Sequence, residues 1–157
     1  MSVLVVQGGK TYVATTLDAA GDVVSPFPGA LFACMIWSHD DRLTEAQRAE
    51  VARQLLQAGC RYAVCGGQIC EAWHDAVDEE LLQQQSNAPA TTLDAVEVMT
   101  TWHTDESPDD VAFFFVLNTN FGDHDFEHYL VLHVGDGPAR EEVDAAVRRY
   151  AINEEAV

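Results

Sequence analysis

Four short clusters in this 157-residue chain hold the side chains that do chemistry. They are Ser38-His39-Asp40, Cys65-Gly66-Gly67, His103-Thr104-Asp105-Glu106, and His133 followed by Gly135 and Asp136. The first three supply the parts of a nucleophilic site. Cys65 or Ser38 becomes a nucleophile when an imidazole, His39 or His103, takes its proton and a carboxylate orients the ring. Gly66-Gly67 ahead of a helix would aim backbone N–H groups at an oxyanion, or lower the thiol pKa. Neither a G-x-S-x-G elbow nor another family-specific nucleophile signature accompanies them. A cysteine at the end of an apolar strand is also commonly a small buried hydrophobe. The candidate catalytic residues are therefore Ser38, His39, Cys65 and His103. The candidate ligand contacts are Asp40, Gly66, Gly67, Thr104 and Asp105.

Two other chemistries use the same residues. Imidazole and carboxylate from His39, Asp40, His103 and Asp105 form a reasonable set for a divalent ion. His124, Asp125, Glu127 and His128 make another, but His-x₃-His needs a helix, which Gly122-Asp123 opposes. Histidines that cap strand ends or sit on an acidic loop explain both clusters without a metal, and no metal or other cofactor is expected. The third chemistry is anion binding at the helix start after Gly66-Gly67. Two glycines are neither G-x-G-x-x-G nor a Walker lysine motif, and the neighbouring carboxylates oppose an anion.

These clusters meet only if the elements between them bring them together. Val3–Val6 and Thr11–Leu17 read as a β-hairpin around Gln7-Gly8-Gly9-Lys10. Residues 18–29 are turn chemistry, with Pro26 and Pro28 leading into the main unit. Ala30–Trp37 is almost continuously apolar, as expected of a strand buried on both faces. A helix follows from a Thr44/Gln47 capping box to Gly59. Arg61–Cys65 is the second core strand, Gly66-Gly67 its turn, and Gln68 to about Gln84 the next helix, with Ile69, Trp73, Val77 and Leu81 facing the sheet.

Asp94–His103 alternates as a third strand, with Trp102 expected under a helix. Ser107-Pro108-Asp109-Asp110 starts a helix that runs to Leu117. His128–Val134 is the fourth core strand, and a last helix follows Gly137-Pro138, with Val143, Val147 and Tyr150 inward. The expected fold is therefore α/β, a three-layer sandwich. It has a mainly parallel sheet of about four core strands flanked by helices, plus the N-terminal hairpin. It forms one domain over 1–157: hairpin and Pro-rich lead-in to residue 29, βα core over 30–150, and a tail over 151–157. In such sheets the carboxyl ends of the strands share one rim, where ligands bind. All four clusters fall there.

Charge narrows the partners. The net charge is −18, from 26 acidic and 8 basic residues. No Lys or Arg occurs between Arg61 and Arg140. Such a surface repels phosphates and anionic lipid and attracts cations, so direct nucleic-acid contact is excluded. No apolar run reaches the length of a membrane span and no leader pattern opens the chain, so a cytoplasmic location is expected. The four cysteines lack the close pairs of a zinc site and read as reduced thiols. The stretches AGCRYAVCGG, EAWHDAVD and MTTWHTDES resemble uncharacterised bacterial α/β proteins, a resemblance that implies no activity. Two functions are expected from these features. One is an acidic module of the immunity, inhibitor or regulatory type docking a basic partner. The alternative is a small enzyme or ligand-binding domain using the strand-end rim, by Cys/His hydrolysis or a metal. The oligomeric state is not fixed by the sequence.

Overall fold

The computed structural model describes residues 1–17, 21–87, 97–120 and 125–154. The protein is α/β, with six strands and four helices among the described residues. The strands are β1 (Ser2–Gln7), β2 (Lys10–Thr16), β3 (Phe32–Ser38), β4 (Cys60–Gly67), β5 (Met99–Trp102) and β6 (His128–Val134). The helices are α1 (Glu45–Ala58), α2 (Cys70–Asn87), α3 (Pro108–Leu117) and α4 (Arg140–Glu154).

The sheet order is β1-β2-β6-β3-β4-β5. Only the β1–β2 pair is antiparallel; β2–β6, β6–β3, β3–β4 and β4–β5 all run parallel. The hairpin is thus part of the sheet, because β2 pairs with β6 from Thr11 to Thr16. The chain walks outward from β3 to β4 to β5 and then returns, placing β6 on the other side of β3. That reversal opens a crevice between the carboxyl ends of β3 and β6, where the connections leave in different directions.

Local sequence explains the elements. Every residue of β3 is buried, which matches its unbroken apolar run. Thr44 and Gln47 exchange the two bonds of a capping box at the start of α1. Ser107 caps α3 by accepting from the Asp110 amide, and Pro108 occupies the first turn. Cys34, Ile36, Ala63, Cys65, Leu130 and Leu132 pack with Val51 and Leu55 of α1 and Trp73 and Val77 of α2. Alternate strand residues, among them Met35, Val64, Tyr129 and Val131, pack with Val111 and Phe115 of α3 and Val143 and Val147 of α4.

Two elements differ from their expected bounds. β5 has four residues where the alternation suggested Asp94–His103; residues 94–96 of that span lie outside the described residues, as does His124 of the loop cluster. β4 runs through Gly66-Gly67, so the turn falls one step later, at Gln68-Ile69. The glycines are in the strand for steric reasons. A Cβ on Gly66 would lie 2.8 Å from the Trp37 ring, and one on Gly67, at φ +79°, would lie 2.3 Å from the Ser38 carbonyl. Among the described residues no helix is long and apolar enough to cross a membrane.

Candidate functional site

A cavity of about 640 Å³ opens at the carboxyl ends of the strands. Ser38 and His39 at the end of β3, Gly67 to Glu71 at the end of β4, His103 to Glu106 after β5 and Gly137 to Ala139 after β6 all line it. Backbone bonds knit these ends together. The His39 amide donates to the Val134 carbonyl of β6, the Gln68 amide to Ser38, and the His103 amide to Cys65.

His39 is the side chain best placed for chemistry. Its Nε2 lies 2.9 Å from Nδ1 of His133. His133, fully buried on β6, places its Nε2 2.8 Å from Oδ1 of Asp144 on α4. This is a continuous chain, Asp144–His133–His39, running from a helix through the sheet to the cavity. With Asp144 as carboxylate, His133 donates from Nε2 and accepts at Nδ1. His39 then donates from Nε2 and keeps a lone pair on Nδ1. That nitrogen faces the Gly137 backbone at the cavity wall: a Cβ on Gly137 would lie 3.1 Å from it. Burial, and next the repulsion that would arise if His133 were protonated as well, lower the pKa of His39, so the neutral, proton-accepting form prevails near neutral pH.

The other expected site residues are placed differently. His103 lines the cavity, but both of its nitrogens are engaged: Nδ1 with Glu106 at 2.9 Å and Nε2 with the Thr101 hydroxyl at 3.0 Å. Ser38 is buried and its hydroxyl donates to the Asp40 carbonyl at 2.7 Å, so its proton is already committed. Cys65 does not reach the cavity. It is 0% exposed and points into the α1–α2 side of the core, where burial pushes its thiol pKa well up and away from the nucleophilic thiolate. Gly66 lies against Trp37 rather than in the cavity. Asp40 accepts from the Arg42 amide, outside the lining, while Thr104 and Asp105 do line it.

The cysteine at the cavity is Cys70, the first residue of α2, with its Sγ 3.6 Å from the Thr104 hydroxyl. Its predecessor Ile69 has φ +50°, and Asp105 across the cavity has φ +60°. A β-branched residue in that region is an outlier, and each such residue stores about 1–3 kcal/mol that the surrounding fold must hold. Both strained residues line the same cavity.

The lining includes Glu71, Asp105 and Glu106 and no Lys or Arg. It therefore suits neutral or cationic ligands over phosphates and carboxylates. Among the described residues, no three His, Cys, Asp or Glu side chains converge to hold a metal ion.

A model of a domain of unknown function, DUF7684, matches residues 11–150. The chain belongs to that family. Comparison with curated proteins and with solved structures returns no match. The matched span holds all six cavity-edge and relay residues argued above: His39, Cys70, His103, Glu106, His133 and Asp144.

Asp144, like His133 and Cys70, stood outside the candidates drawn from the sequence. A signal for it existed. His133 interrupts the apolar run of β6, Tyr-Leu-Val-Leu-His-Val, and a buried imidazole requires a polar partner. Which partner it finds depends on α4 crossing that strand end.

Proposed function

We propose that the strand-end cavity is a small-molecule site in which His39 accepts a proton from an O–H or N–H group of a bound neutral or cationic ligand. The observation that carries this reading is the Asp144–His133–His39 chain ending at the cavity wall. An imidazole held in one tautomer, with a buried carboxylate behind it, is the arrangement that general-base chemistry uses. The reading replaces the Cys65 or Ser38 nucleophile with proton transfer, because neither side chain offers a free group to the cavity. The test is a thermal-shift screen of primary amines, amino alcohols and sugars against phosphates and carboxylates, repeated with His39→Gln. Stabilisation by neutral or cationic compounds that is lost in the variant supports the reading. Hits confined to anions, or unchanged in the variant, overturn it.

A second reading follows from the charge. Of the eight basic residues, Arg42, Arg53 and Arg149 are each paired with a carboxylate, Asp40, Glu50 and Asp109. Most of the 26 acids have no basic residue to meet them. An acidic regulatory or inhibitory module docking a basic protein uses such a surface for fast, salt-sensitive association. Recovery of a basic partner at low salt and its release at high salt supports this reading; no basic partner at either salt overturns it.

A further inference from the structure

The outer edge of β5 combines an open sheet edge with an exposed indole. β5 is the last strand of the sheet, and among the described residues no strand lies beyond it. On its four residues Trp102 is 46% exposed and Met99 is 42% exposed. The expectation that a helix covers Trp102 holds only on one side: its ring meets His74 of α2, with centroids 4.4 Å apart. His74 is itself held by Asp75 at 3.1 Å and Asp78 at 3.4 Å, and Asp78 accepts from the Thr100 hydroxyl of β5 at 2.7 Å. The indole is thus a fixed aromatic surface with carboxylates beside it. Leu82, one helical turn beyond Asp78 on α2, is also exposed.

We propose that this edge, with the adjoining flank of α2, docks an extended cationic segment of a partner protein. The segment adds a strand beside β5 and lays an Arg or Lys side chain over Trp102. The proposal rests on the second reading above and gives it a location. A free strand edge supplies backbone hydrogen bonds to an extended chain. A half-exposed, preorganised Trp is the residue type that anchors interfaces, and its face attracts a cation. Glu71, Asp75 and Asp78 on α2 select positive charge, and no Lys or Arg between residues 61 and 140 opposes it. Nucleic acid is disfavoured by the same carboxylates.

The probe is a short capped peptide of alternating Arg and Thr, with Glu and Thr as its counterpart. It is added to the full chain at low salt and followed by amide hydrogen exchange. Slowed exchange centred on Met99–Trp102 with the Arg peptide alone, and about tenfold weaker binding in Trp102→Ala with Trp102→Phe largely retained, is the expected result. The exchange footprint on the wild-type chain stands even if a variant folds poorly. Protection centred elsewhere, or binding unchanged in Trp102→Ala, overturns this surface while leaving a basic partner in place. No binding of the Arg peptide overturns the surface and the basic-partner reading together.

Discussion

Two histidines line the same cavity, and their surroundings differ. His103 is satisfied by its own neighbourhood. Thr101 and Glu106, two and three residues away, hold its two nitrogens, and the Phe114 ring packs on it at 4.7 Å. Among the described residues, His39 has one hydrogen-bond partner, His133, 94 residues away, and that partner is backed by Asp144. A histidine with both nitrogens engaged is a strut that pins β5 to the start of α3. One held through a single nitrogen keeps the other for a ligand. Lining the cavity is thus not enough to propose a histidine as a base; the proposal for His39 rests on the nitrogen it keeps open.

The comparison fails outright if the cavity has a thiol nucleophile instead. The largest expected contrast is therefore in cysteine alkylation. Cys34 and Cys65 are both fully buried, and burial pushes both thiols up, so each should react orders of magnitude slower than an exposed cysteine until the chain unfolds. Cys70, at the cavity wall, should be the first to react. Mass mapping after timed treatment with iodoacetamide reads the order. Rapid labelling of Cys65 in the native chain would return it to the list of nucleophiles.

Next in size is the removal of His133. His133→Ala empties a fully buried position and strips Asp144 of its partner, which should cost about 2–4 kcal/mol in urea denaturation. The same change sharpens the comparison through a second readout. His133 helps to lower the pKa of His39, so His39 should titrate at higher pH in the variant, followed by histidine NMR. A His39 titration that does not move would mean the two rings are not coupled.

How much of this was legible in the sequence follows from the same contrast. His103 and its partners lie within six residues, so a linear reading places them together. The rim itself was legible because alternating strands and helices force the strand ends to one side. The relay was not, because His133 reaches His39 only when β6 inserts between β2 and β3. Nothing local in Gly135-Asp136-Gly137-Pro138 specifies that insertion. Cys65 misled for a different reason. It stands at a strand end, but strand side chains alternate faces, and the two glycines after it extend β4 beyond it before the turn. The face on which Cys65 points is set by register with Ile36, which only the pairing reveals.

His103→Ala should cost less than His133→Ala, about 1–2 kcal/mol, since its partners Thr101 and Glu106 can turn to water. The decisive part is what should not change. If His103 is a strut, the variant keeps the His39 titration and keeps any ligand stabilisation that depends on His39. If that ligand stabilisation is lost while the far-UV circular dichroism of the native chain is retained, His103 contacts the ligand and the two histidines form a pair.

The smallest expected effect is on pH dependence, and it tests the sign of the assignment. His39 is lowered by burial and by His133, while Asp136 and Asp40 push it the other way, and the lowering wins. The folded chain then binds fewer protons at His39 than the unfolded chain does. Its contribution to stability is complete above the ordinary histidine value of about 6.5 and is lost as pH falls through the lowered folded value. On acidification from about pH 7.5 to about pH 5.5, the wild type should lose slightly more unfolding free energy than His39→Gln, which has no such proton to bind. The effect is small because His39 stays partly open to water. The opposite sign would mean that Asp136 and Asp40 dominate and His39 is charged in the fold. A charged His39 donates from Nδ1 and has no lone pair to offer, so the residue facing the cavity would bind an acceptor rather than take a proton.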